Sequence, residues 1–170
     1  MTDNMYVNPD TGYLEFENAD ILTKSWRNFS GKNNKYDSHR FFHISLTEEE
    51  ANVLRKDGWN VREWNPTNPS EPTMWVLKVT IDYEIGERYP QYRPRIFKVR
   101  EQKRPLLLSE DLLDDLDQKI FTLANVEIRP YDWKIQNGNS GRKAMLSSMF
   151  FKVAENSFGA KYFQDFDEDD

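Results

Sequence analysis

Met74-Trp-Val-Leu-Lys-Val-Thr-Ile-Asp-Tyr-Glu-Ile85 carries the cleanest period in the chain, with Trp75, Leu77, Val79, Ile81, Tyr83 and Ile85 at one parity and Lys78, Thr80, Asp82 and Glu84 at the other. Side chains alternate across a strand, so the spacing predicts a central β-strand with one apolar and one wet face. Upstream, Arg40 to Leu46 reads as a strand, and Tyr13 to Leu22 as another whose phase slips near Asn18-Ala19, where a bulge returns Ile21 to the core. Between Leu46 and Met74, Thr47-Glu-Glu-Glu50 fits a capping box and opens a short helix that Gly58 ends. Trp59 to Trp64 then resumes extended structure, and the three prolines of Asn65 to Pro72 make a surface loop.

Downstream, Arg95-Ile-Phe-Lys-Val-Arg100 reads as a strand with Phe97 and Val99 inward and Lys98 and Arg100 outward. Ser109 is a suitable cap for a helix whose stripe is Leu112, Leu113, Leu116 and Ile120. Asn125 to Ile135 and Lys143 to Val153 form a hairpin around Asn137-Gly138. Val126 and Ile128 point inward and the phase then changes: either Pro130 marks an edge bulge, the reading favoured here, or Tyr131 and Trp133 face outward as stacking platforms. The order is mainly β with two short helices, and it matches an OB-fold-like five-stranded Greek-key barrel carrying an inserted helix. A chain of 170 residues buries roughly 70% of its unfolded surface as one unit. Residues 1–158 are expected to form one nucleic-acid-binding domain and 159–170 a flexible acidic tail.

That functional expectation rests on Lys24 to Phe42. Here Lys24, Arg27, Lys32, Lys35 and Arg40 alternate with Trp26, Phe29, Tyr36, Phe41 and Phe42 around the turn Ser30 to Asn34. A second such region runs from Arg88 to Arg104, with Arg88, Tyr89, Tyr92, Arg93, Arg95, Lys98 and Arg100. Phosphates attract cations and unstacked bases need flat partners, each worth about 1–3 kcal/mol, so single-stranded nucleic acid calls for this mixture. Candidate contacts are these residues, Phe41, Phe42 and Phe97 excepted, together with Tyr131 and Trp133. The alternative is that some of the rings are core residues and the cations solvate a turn. The net charge of −6 is segregated: five acids lie in 165–170 and five in 110–117, and without those ten the rest of the chain stands at +4. Binding follows the local field rather than the total. Stacking surfaces do not separate DNA from RNA.

Composition excludes much else. With no cysteine there is no disulfide, thiolate zinc site or Cys nucleophile. The start carries acids and a proline in place of a basic and then apolar leader, and no apolar run approaches the ~20 residues of a membrane span. His39 and His43, on one strand, would stand about 13 Å apart, too far to share an ion. Asp114, Asp115 and Asp117 lack an accompanying phosphate loop, so no metal, cofactor or catalytic set is assigned. The acidic tail reads as a solubilising segment, or as a peptide that competes with nucleic acid for the basic cleft and offers Phe163 or Phe166, with Asp167, Glu168, Asp169 and Asp170, to replication or recombination proteins. An alternative from another class is an acidic DNA mimic or adaptor that occupies a host protein's basic cleft.

Arg27-Asn-Phe-Ser-Gly31, Gly58-Trp-Asn-Val61 and Ile128-Arg-Pro-Tyr-Asp-Trp133 together resemble segments of phage single-stranded DNA-binding proteins, a likeness that runs from Leu14 to Val153. The resemblance implies the barrel fold, protection of exposed strands during phage replication or recombination in the host cytoplasm, and no catalysis.

Overall fold

The computed structural model of the chain describes residues 4–154. The boundary expected at 158/159, and Phe163, Phe166, Asp167, Glu168, Asp169 and Asp170, lie outside the described residues. The strands are β1 (Met5–Val7), β2 (Leu14–Phe16), β3 (Asp20–Ile21), β4 (Arg27–Asn28), β5 (Arg40–Leu46), β6 (Val61–Trp64), β7 (Met74–Ile81), β8 (Arg95–Lys98), β9 (Leu106–Leu108), β10 (Phe121–Lys134) and β11 (Ser140–Val153). Two α-helices, α1 (Glu48–Lys56) and α2 (Tyr83–Arg88), and 3-10 turns at Lys24–Trp26, Pro90–Tyr92 and Glu110–Gln118 complete the described chain.

All eleven strands join one mixed sheet, in the order β1-β2-β10-β11-β7-β5-β3, with β4 on β5, β6 on β7, β8 on β11 and β9 on β8. The fold is mainly β and OB-like, built from more strands than the five-stranded minimum. β10 and β11 form its longest hairpin, and β11 is parallel to both β7 and β8. The phase slip at Asn18 is present: the strand expected over Tyr13–Leu22 breaks into β2 and β3, and Asn18 takes φ 53°.

One parity of each strand faces the core, where Phe42, Ile44, Leu77, Val79, Leu146, Met149, Val126 and Ile128 form one cluster with Leu54 and Ala51 of α1. Burying each large aliphatic or aromatic side chain contributes about 1.5–3 kcal/mol. The capping box of α1 is made in full: Thr47 Oγ1 accepts from Glu50 N at 3.1 Å, and Glu50 Oε1 accepts from Thr47 N at 2.9 Å. Thr47→Ala should therefore lower the unfolding free energy by about 1 kcal/mol, read by urea titration; no change would show the cap to be redundant.

Four expectations are corrected. β7 stops at Ile81, because the Asp82 carboxylate accepts from Ile85 N at 3.2 Å and starts α2, so Tyr83 is buried from a helix rather than a strand. Its second face is not wet, since Val76 and Thr80 are buried beside the exposed Lys78. The segment after Ser109 is a 3-10 helix in which Leu113 and Leu116 are buried and Leu112 and Ile120 exposed; Ser109 Oγ donates to Asp111 instead of capping the backbone. In β8 the inward residue is Ile96, and Phe97 lies on the other face. Among the described residues no helix is long and apolar enough to cross a membrane.

Candidate nucleic-acid interface

With one parity of each strand in the core, the other parity builds the outer face. Register partners carry a row straight across four strands: Phe41 of β5 faces Thr80 of β7, Thr80 faces Met145 of β11, and Met145 faces Arg129 of β10. At one end of the row the Phe41 ring lies beneath the Lys78 ammonium, 4.5 Å from its centroid, and meets His43 edge-on. His43 in turn meets Trp26, and Trp26 meets Trp64, both at near right angles. At the other end the Arg129 guanidinium stands 4.2 Å from the centre of the Tyr92 ring, with Tyr89 beyond it. Lys143 pairs with Tyr131, which is half exposed, one step along from this row. Further along β11, Phe150 faces Phe97 of β8, the two rings stacked at 4.7 Å with Arg95 6.0 Å from Phe97.

Over the buried Phe41, Thr80 and Met145, the accessible part of this face carries flat rings and cations together, Tyr92, Phe97, Tyr131 and Phe150 beside Lys78, Arg95, Arg129 and Lys143, the combination a flexible polyanion with unpaired bases requires. It gathers Trp26, Tyr89, Tyr92, Arg95 and Tyr131 from the residues expected from sequence. It adds Phe41, Trp64, Lys78, Phe97, Arg129, Lys143 and Phe150, which alternation along β5, β6, β7, β8, β10 and β11 reveals once the core parity is fixed.

Other candidates fall elsewhere. Arg27 and Phe29 are sealed in the core, at 1% and 0% exposure. The Arg27 guanidinium donates to four backbone carbonyls, of Ile21, Leu22, Leu116 and Lys119, and covers the Phe121 ring, while Phe29 stacks on Phe42. Burial lowers the Arg27 pKa, opposed by the nearby Asp117 carboxylate. Arg40 is turned inward, donating to the Phe29 carbonyl and pairing with Glu110 at 3.6 Å. Lys32 pairs with Asp114 at 3.2 Å. Lys35 and Tyr36 form an exposed tip, Tyr36 being 91% accessible. Lys24 and Arg88 are exposed, Arg93 lies against the buried Tyr83 ring, Arg100 donates to the Arg104 carbonyl, and Lys98 is half-buried on β8. Trp133 is half-buried over Gly141, where a Cβ would come within 2.6 Å of its ring, so any side chain there would evict it. The bulge expected at Pro130 lies instead between Glu127 and Ile128, and Pro130 stays in register with Ala144. β2 pairs with β10 only as far as Ile128, so the proline sits beyond that ladder, where a missing donor is tolerated. No phase change is needed: Tyr131 and Trp133 simply continue the outer parity of Arg129.

His43 is a buried titratable group on this face. Its Nδ1 lies 2.7 Å from the Trp26 carbonyl oxygen, which fixes Nδ1 as the donor and leaves the buried Nε2 without a partner. Burial lowers its pKa, the Trp26 hydrogen bond opposes, and Lys78 and Arg62 lower it further. The unfolded chain therefore takes up the proton first, so stability should fall as pH drops below about 6.5, the unperturbed value. Thermal melts across pH 7 to 5 should show this loss, and His43→Gln should remove it; an unchanged pH profile in the variant would refute the assignment. Among the described residues no group of three or more His, Asp or Glu could hold a metal ion.

Three comparisons place this geometry. Solved structures of the single-stranded DNA-binding protein from bacteriophage Enc34 share the fold: the complex with ssDNA (TM-score 0.53, 12% identity, 94% of this chain and 96% of that one), the C-terminal truncation (0.55, 11%, 92% and 93%) and the protein itself (0.54, 12%, 100% and 96%). No curated protein matches the chain. The family model described as "Putative phage ssDNA-binding domain" matches residues 5–170, nearly the whole sequence. The chain belongs to the phage ssDNA-binding domain family.

Proposed function

We propose that this protein is a non-enzymatic binder of single-stranded DNA that takes the strand along the outer face of β5, β7, β11, β10 and β8, with no sequence preference. The observation that carries this reading is the set of accessible ring and cation pairs on one surface: Arg129 on Tyr92, Lys143 opposite Tyr131, and Arg95 beside the stacked Phe97 and Phe150. Bases stack on Tyr92, Tyr131, Phe97 and Phe150, and Lys78, Lys143, Arg129 and Arg95 hold the phosphates. Backbone contacts of this kind carry no sequence information, and stacking accepts every base. The candidate contacts Lys24, Lys35, Tyr36, Arg88, Tyr89, Arg93, Lys98 and Arg100 flank this face and extend the electrostatic footprint.

In this reading the protein protects exposed strands during phage DNA replication or recombination in the host cytoplasm. One domain ends near residue 158, and the acidic tail, with Phe163 and Phe166, engages replication or recombination proteins. The DNA-mimic reading is disfavoured because its acidic helix is engaged internally. Asp117 accepts from Phe29 N, Ser30 N and Ser30 Oγ, while Asp114 and Glu110 pair with Lys32 and Arg40.

Anisotropy titration of labelled oligo-dT should give salt-sensitive binding, weakening linearly on a log–log plot as phosphate contacts release counterions, with duplex of equal length bound far less tightly. Equal affinity for duplex, or indifference to salt, would overturn the proposal. Oligo-rU run beside oligo-dT tests whether RNA is also accepted.

A further inference from the structure

The outer face does not end where β11 begins. Along β7, β11 pairs with Val79 and Thr80, and β6 takes over nearer the other end, with Val61 opposite Leu77 and Arg62 opposite Val76. The two strands meet at Asn60, whose N–H donates to the Arg142 carbonyl at 3.0 Å. Arg62 lies opposite Val76 and Trp64 opposite Met74, so both share the parity of Lys78 and belong to the outer face, where both are exposed. Trp133 reaches the same junction from β10: a Cβ on Gly141 would collide with its ring and with Asn60 Oδ1, which places ring and amide together over one glycine.

Two regularities carry across this junction. Arg129, Lys143, Lys78 and Arg62 come one from each of β10, β11, β7 and β6, and the pairing of Ala144 with Val79 brings the two lysines abreast. Each has a flat ring beside it: Tyr92 on Arg129, Tyr131 opposite Lys143, Phe41 beneath Lys78, and Trp64 two residues from Arg62 on the same face. The second regularity concerns the tryptophans. Trp59 and Trp75 pack with the core, whereas Trp26, Trp64 and Trp133 stand outside it and gather on this wing, Trp26 meeting Trp64 edge-on at 5.8 Å. An indole face left in water forgoes the burial that favours it, and an unpaired base is a flat partner able to cover it.

We infer that β6 carries a further nucleotide subsite, in which Arg62 holds a phosphate while Trp64, backed by Trp26, and Trp133 stack the unpaired bases of a strand already lying on β7, β11 and β10. This rests on the outer face being the DNA-binding surface, and it lengthens the path across that face. A contact at one end of a path adds affinity only for a strand long enough to reach it while still held on the rest. Length dependence is therefore the signature of the subsite.

The test compares oligo-dT of about 5 and about 15 nucleotides, near the two ends of the range a single barrel covers. In the wild-type protein affinity should rise with length. In the double variant Arg62→Gln, Trp64→Ala that gain should shrink at least about fivefold, the lower end of what one stacking platform supplies, with urea titration reporting that the fold is kept. Arg62→Gln alone, a change at an exposed position, should flatten the log–log salt slope for the longer strand by about 0.7, one phosphate contact, and it decides the matter if the double variant does not fold. An unchanged gain with length in the double variant, or an unchanged salt slope in Arg62→Gln, would overturn the inference and leave the rest of the face standing. Wild-type protein that binds neither oligonucleotide in a salt-sensitive way would instead remove the outer face as the DNA-binding surface.

Discussion

Replacing Arg27 by Met should lower the unfolding free energy by about 3–5 kcal/mol, because the side chain is fully buried and removing it strands carbonyls that water cannot reach. The guanidinium ties the start of β4 to the end of the 3-10 segment: it takes the carbonyls of Ile21 and Leu22 on one side and of Leu116 and Lys119 on the other. Asp117 completes the clasp by accepting from the Phe29 and Ser30 amides. Against a domain stability of about 5–15 kcal/mol, a loss of this size leaves little margin at physiological temperature. Arg27→Lys should recover only part of it, since an ammonium has three donors on a flexible stem and cannot span four carbonyls as a planar fork does. Urea titration at neutral pH measures both variants. A Met variant with wild-type stability and weakened DNA binding would instead return Arg27 to the binding surface.

The double variant Tyr92→Ala, Phe97→Ala should weaken oligo-dT binding by about 2–6 kcal/mol, two stacking platforms at about 1–3 kcal/mol each, which amounts to at least a thirtyfold rise in Kd. Both rings are half-buried on the outer face, Tyr92 under Arg129 and Phe97 on Phe150, and neither belongs to the core cluster. The melting temperature should consequently change little. Removing Arg129 by Arg129→Gln should give a smaller loss that shrinks at high salt, because its share is electrostatic. Wild-type affinity in the double variant would show that the strand runs elsewhere.

The difference between Arg27 and Tyr92 marks how far the residues could be read without coordinates. Local signals are legible: the capping box at Thr47, the extended runs of β5 and β7, the slip at Asn18 and the turn at Asn137-Gly138 each depend on neighbours a few positions away. Asp82 carries a competing signal, since an Asp followed by Tyr-Glu-Ile and a closing Arg88 is also a helix start, which the alternating strand pattern masks. What adjacent residues cannot tell is which side of a strand a second layer covers. Arg27 and Phe29 sit in a basic aromatic stretch that suits DNA, yet the partners that seal them come from Leu116, Lys119 and Phe121, some ninety positions away. For the same reason alternation alone points Phe97 inward: its partner Phe150 arrives from β11, and Ile96 fits the core equally well. The basic and aromatic character of the chain is therefore apparent, but the division of its rings between core and surface is a property of the assembled sheet.

The sheet is joined across its middle by β11, which bonds to β10 antiparallel and to β7 and β8 in parallel, so that residues near 80 and 96 find one of their strand neighbours only beyond residue 143. Such distant partners make for slow assembly, because the intervening chain must be ordered before its contacts repay the entropy lost. During synthesis, everything up to Asn139 must wait with β7, β8 and β10 each lacking a partner, and waiting edges invite pairing with other copies. The nascent chain is thus most vulnerable to aggregation just before its last strand emerges.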